Sequence, residues 1–208
     1  MFNRRFATAI AAGALAFGSA GLAHAAKPVP GKPGDKNIVD LALFVNANSG
    51  EFNYLLAAAT CDYFHGRVVA LLSGEDKYTL FAPTDAAFMT LLGQPLDGEE
   101  DPATICTAFN GEEGSVGTPD DLFAVLAYHV TDGRRFANSV FNRNSTKMVE
   151  MLAGGYIVTN PNLTINDNAG QTVNVVPTLE LNDGKEIGAI NVNASNGVIH
   201  TIDTVLLP

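Results

Sequence analysis

The chain has no tryptophan, only two cysteines and only four histidines among its 208 residues. Cysteine-rich zinc frameworks and aromatic-lined binding cages are therefore poorly supplied. Cations are scarce too: twelve Lys and Arg stand against 22 Asp and Glu, a net charge of −10. A field of that sign repels phosphate backbones and anionic lipid surfaces, so nucleic acid is not an expected partner. Charged residues of both signs reach only 16%, whereas apolar residues reach 47% and mean hydropathy is +0.13. That composition excludes a disordered tail and supplies a packed interior, and the length fits one domain with appendages.

The N-terminus reads as an address. Arg4 and Arg5 precede an uncharged, Ala-rich stretch from Phe6 to about Ala23, which ends in Ala23-His24-Ala25. A charged start, an apolar middle and a small-x-small ending predict an export signal over residues 1–25. Its loss removes two cations and leaves the remainder more acidic still. Residues 26–36 hold three prolines and two glycines without apolar periodicity, which predicts a linker. No second long apolar segment follows, so the exported form is expected to lack a membrane span. Secretion or periplasmic residence, with possible retention at the cell surface, is the expected localisation. An oxidising compartment turns Cys61 and Cys106 into a structural bridge, and neither cysteine sits in a C-x-x-C pair.

Apolar spacing of three and four predicts two short helices between Asn37 and Ala59, broken at Asn46 to Gly50. A helix ends over Val68 to Leu72. The β-prone run Tyr78 to Ala82 predicts a strand stopped by Pro83. Thr84 and Asp85 then offer N-cap oxygens to a helix over Ala86 to Leu92, whose buried stripe is expected at Ala87, Phe88, Leu91 and Leu92. Residues 94–119 are polar, Gly-rich and acidic, which predicts an exposed insertion whose middle, Ala103 to Phe109, carries Cys106 back to the body. Its acidic residues lack the D-x-[DN]-x-[DN]-G calcium pattern. Helical spacing returns from Asp120 to Val130.

From Lys147 the character changes to β-rich runs: Met148 to Leu152, Tyr156 to Thr159, Leu163 to Asn166, Gln171 to Val176, Thr178 to Leu181, Gly188 to Val192 and Val198 to Leu207. Asp167 to Gly170 and Asn182 to Gly184 are turn chemistry and predict antiparallel hairpins. Helices first and strands second predict an α+β fold.

Catalytic chemistry finds little support. No G-x-S-x-G elbow and no H-E-x-x-H occurs, and no two histidines stand at i, i+4, so neither a metal centre nor a cofactor is expected. In the last strand His200 and Ile202 share a face and Asp203 takes the other, so His200 and Asp203 do not form a direct dyad. His129 and His200 are expected to be partly buried with satisfied hydrogen bonds. Three N-x-[ST] sequons, at Asn144, Asn162 and Asn193, are expected to stay unmodified because the compact Ala-rich signal looks bacterial.

Three stretches carry a family resemblance. Tyr78-Thr79-Leu80-Phe81-Ala82-Pro83-Thr84-Asp85-Ala86-Ala87-Phe88 resembles the first signature of the fasciclin-type (FAS1) domain. Tyr128-His129-Val130 resembles its central Tyr-His element, and the run from Asn196 to Pro208 resembles its closing signature. With Ile38 to Ala42 as the usual first helix, the likeness covers residues 37–208, apart from the acidic insertion. The resemblance implies a β-wedge of two sheets with packed N-terminal helices. It also implies a non-catalytic adhesion or matrix-interaction module whose partner is an extracellular protein or a cell-surface component. Proposed receptor contacts in the family attach to the element matching Tyr128 and His129, although helical spacing turns His129 inward. Some members bind lipophilic molecules such as carotenoids. In that alternative Met148, Met151, Leu152, Tyr156 and Ile157 line a groove for an apolar ligand; otherwise they pack a core.

Overall fold

The computed structural model describes residues 34–96 and 101–208. The expected signal, most of the linker, and the acidic residues Asp97, Glu99 and Glu100 lie outside them. The helices are α1 (Ile38–Ser49), α2 (Asn53–Ala59), α3 (Arg67–Ser73), α4 (Asp85–Leu92), α5 (Thr104–Ala108), α6 (Pro119–Tyr128) and α7 (Ala137–Val140). The strands are β1 (Tyr78–Pro83), β2 (Val130–Asp132), β3 (Lys147–Glu150), β4 (Tyr156–Thr159), β5 (Thr164–Asn166), β6 (Thr172–Asn174), β7 (Thr178–Glu180), β8 (Glu186–Gly188), β9 (Val192–Ala194) and β10 (Gly197–Ile202).

One sheet has the order β2-β1-β10-β9 and the second β3-β4-β5-β6, with β7-β8 as a separate hairpin. The first and last signature stretches meet at the centre, where β1 and β10 run parallel with Tyr78 opposite Gly197. Both strands are buried along their whole length, because helices cover one side of the sheet and the second sheet covers the other. Period-two alternation splits β1 accordingly. Leu80 and Ala82 join the helix-side core, and Phe81 joins the core between the sheets. The sheets are also stitched at their edges. Thr131 Oγ1 donates to the Glu150 carbonyl at 2.6 Å, Leu152 N donates to Val130 at 2.7 Å, and Val175 bridges Ile202. The result is the expected α+β wedge, and the turns at 167–170 and 182–184 close the antiparallel pairs β5–β6 and β7–β8.

Local expectations fail where tertiary contacts win. Helix α1 runs on through Asn46 to Ser49 and stops at Gly50, whose φ of 74° lies in the left-handed region that favours glycine. Val130 belongs to β2 and not to the helix, because its backbone pairs with Leu80. The run Gly188 to Val192 is not one strand: its ends belong to β8 and β9, and residues 189–191 form a gap between them, with Asn191 at φ 60° breaking the extended chain. The final strand ends at Ile202, since Asp203 instead accepts from Asn174 N and Nδ2 at 2.8 and 2.7 Å. In α4 it is Met89 that is buried, with Leu91 and Leu92 only half covered. The acidic insertion is exposed only in part: Ile105 and Phe109 are buried, and α5 rests on α2.

Candidate functional site

The Tyr-His element sits where α6 hands over to β2. A capping box at Thr118 and Asp121, with Pro119 in the first turn, starts α6. The helix then buries Leu122, Val125 and Leu126 and delivers Tyr128 and His129 into the interior at its end. Tyr128 is fully buried, and its hydroxyl donates to the Tyr156 carbonyl at 2.7 Å across the wedge. His129 is equally enclosed. Its Nδ1–H donates to the Val125 carbonyl at 2.7 Å, while Nε2 accepts from Leu206 N at 2.9 Å. One ring nitrogen therefore donates and the other accepts, which defines a neutral imidazole. Burial pushes its pKa down to about 4, against smaller upward pulls from the Val125 hydrogen bond and the Asp167 charge. Neither side chain faces solvent.

His200 repeats the pattern on β10. Its Nε2–H donates to the Arg135 carbonyl at 2.9 Å, and Nδ1 accepts a longer bond from Asn191 N at 3.4 Å. Phe81 and Phe141 flank the ring at 5.7 and 6.1 Å between centroids. Burial again lowers the pKa, to about 4.

Asp85 caps, but the helix it caps is α2. Its Oδ1 accepts from Tyr54 N and its Oδ2 from Asn53 Nδ2, both at 2.9 Å, at the start of that helix. Burial raises its pKa while these bonds hold it down. Asn196 plays a comparable role: it accepts from Ile38 N at 2.8 Å and donates to the Leu72 and Gly74 carbonyls at 2.7 and 2.9 Å. One amide thus ties the start of α1 and the end of α3 to β10. Nothing in the spacing of the sequence pointed to it.

The five groove residues divide between two faces. Met151 and Ile157 are 3% and 0% exposed and belong to the core between the sheets. Met148, Leu152 and Tyr156 are 68%, 43% and 49% exposed. Strand alternation accounts for the split between Tyr156 and Ile157 in β4, and Met151 and Leu152 lie beyond the end of β3. Cys61 and Cys106 are bonded with their Cα atoms 5.7 Å apart, which pins α5 to the end of α2. Among the described residues no His, Cys, Asp or Glu group is arranged to hold a metal ion, and no helix is long and apolar enough to cross a membrane.

The family model for the fasciclin domain matches residues 64–208, and the chain belongs to that family. It is 32% identical over 164 residues to Protein sll1483 of Synechocystis sp. (strain PCC 6803 / Kazusa), a match covering 79% of this chain and 71% of that one. It is also 29% identical over 171 residues to Uncharacterized protein sll1735 of the same organism, covering 82% of this chain and 97% of the other. Among solved structures it resembles a FAS1 domain pair from the insect cell adhesion molecule fasciclin I, with a TM-score of 0.50 and 14% identity. That match covers 83% of this chain but spans only 51% of the insect chain, and it speaks to the fold alone. The fold and the family expected from the three signature stretches are therefore as found.

Proposed function

We propose that the protein is a non-catalytic interaction module, exported to the periplasm or beyond, that presents a rigid outer surface to a cell-surface or matrix component. The observation that carries this reading is the saturation of its interior. Among the described residues every buried side-chain nitrogen and oxygen has a hydrogen-bond partner within the protein, including both histidines that an enzyme would use. A catalytic site keeps polar groups free to meet a reacting molecule, and here those groups hold strands and helix ends together. Family membership, the disulfide and the export-like N-terminus support the extracytoplasmic setting.

Binding of the labelled full chain to isolated envelope and matrix fractions of its host tests the proposal. Saturable binding, competed by unlabelled protein and without consumption of any fraction component, is the expected result. Absence of saturable binding would overturn it. Protein purified from the host is expected to be colourless; a bound pigment would favour a carrier of lipophilic molecules.

A further inference from the structure

One stretch departs from the acidity of the rest. Between Asp132 and Glu150 the chain carries Arg134, Arg135, Arg143 and Lys147 and no carboxylate side chain. The stretch is held as one ridge. Arg134 donates to the Asn193 side chain and to the Ala194 carbonyl, Ala137 N donates to Asn191 Oδ1 at 2.6 Å, and Lys147 Nζ donates to the Ser139 carbonyl at 2.6 Å. Two of the segments against which the ridge packs are carboxylate-free as well: residues 151–166, which contain β4 and β5, and residues 187–202, which contain β9 and β10; only at the Gly133 end does it meet Lys77, beside Glu75 and Asp76. Along the four-residue β3, Glu150 stands about 10 Å from Lys147, roughly a Debye length away at physiological salt. An anion approaching Arg143 and Lys147 therefore meets a local positive field despite the net charge of −10.

We infer that this ridge is a docking surface for an acidic polysaccharide, a partner class that rests on the interaction-module reading above. The chemistry beside the cations selects the class. From Asn138 to Thr146 every exposed side chain is an amide, a hydroxyl or the Arg143 guanidinium: Asn138, Ser139, Arg143, Asn144, Ser145 and Thr146. Amides and hydroxyls donate and accept, as sugar hydroxyls do, and the guanidinium matches a uronate carboxylate with two parallel bonds. A lipid surface would call for large apolar side chains among the cations; none is exposed from Asn138 to Thr146, and the exposed Met148 stands on the opposite face of β3 from Lys147.

Titration of the full chain with polygalacturonate at low ionic strength, followed by isothermal calorimetry, tests the inference. Expected are saturable binding that weakens as salt is raised, no binding of neutral dextran, and roughly tenfold weakening in R143E and in K147E. K185E makes the same charge change on the exposed β7–β8 turn and is expected to bind like the parent. Undiminished binding by both R143E and K147E, an equal loss in K185E, or binding to phosphatidylglycerol vesicles in place of the polyuronate would overturn it. Should a charge reversal lower the melting temperature, R143Q and K147Q are expected to weaken binding in the same direction, and undiminished binding by both would overturn it. Saturable binding to host envelopes with none to polygalacturonate would sink this inference and leave the interaction module standing; loss of both would remove both.

Discussion

The Nε2 atom of His129 accepts the backbone N–H of Leu206 across 77 positions of sequence, at 2.9 Å, and so ties the end of α6 to the C-terminal segment. Asp167 Oδ2 adds a second tie to the same segment through Leu207 N at 2.9 Å. The family's Tyr-His element is, in this chain, a fastening for the last residues.

That fastening is sensitive to acid. A proton on Nε2 would turn the acceptor into a donor facing the Leu206 N–H. The folded pKa of about 4 lies below the ordinary 6.5, so the unfolded chain binds the proton more readily. The contribution is fully present above pH 6.5, is lost as pH falls from there toward 4, and amounts to on the order of 3 kcal/mol. His200 follows the same sign over the same window. Urea unfolding midpoints measured from pH 7 to pH 4 are expected to fall steadily; a flat profile would contradict the buried neutral imidazoles.

Replacing His129 with Ala removes partners from a buried carbonyl and a buried N–H at once. A loss of about 3 kcal/mol is expected, because each group orphaned without water costs about 1–3 kcal/mol. Tyr128→Phe deletes the hydroxyl's bonds to the Tyr156 carbonyl and the Asn168 backbone and is expected to cost about 1 kcal/mol. Thermal melts should place the two variants in that order.

Asp85→Ala would leave the start of α2 without its acceptor. A loss of about 1–2 kcal/mol is expected, the cost typical of a helix N-cap. Faster hydrogen exchange at Tyr54 N and in the rest of α2 would identify the element affected.

Gly197 leaves no room for a side chain. A Cβ there would sit 2.2 Å from the Tyr78 carbonyl and 2.5 Å from Ile38 Cδ1, at the register where the two signature strands meet. Gly197→Ala is expected to be among the most destabilising single substitutions, because backbone must move, and its expression and melting temperature check this.

Reduction of the Cys61–Cys106 bond opens a loop whose ends are 45 residues apart. The chain-entropy estimate for such a loop is about 4 kcal/mol. Reduced protein is expected to melt lower and to be cleaved first within residues 94–119, as read by limited proteolysis.

Much of this architecture was legible in the sequence because local and global signals agreed. The β-prone run at Tyr78 is bounded by Pro83, and the turns at Asp167 and Asn182 lie between alternating runs. The failures share a cause. Val130 and the gap after Gly188 take their state from a partner strand, and α1 continues past Ala47 until a left-handed glycine stops it. Asp85 looked like the cap of its own helix because a cap is local, whereas its partner helix lies 31 residues upstream. The five candidate groove residues are divided for a simpler reason, since period-two alternation sends Ile157 inward and Tyr156 outward. The cationic stretch between Asp132 and Glu150 was visible to a count of carboxylates along the chain, and the overall net charge concealed it.

The most direct measurement pairs stability with binding in Tyr128→Phe, assayed against host envelopes well below its melting temperature. The account predicts a lowered melting temperature with parental affinity, because the hydroxyl fastens the wedge and touches no partner. Parental stability with lost affinity would contradict it.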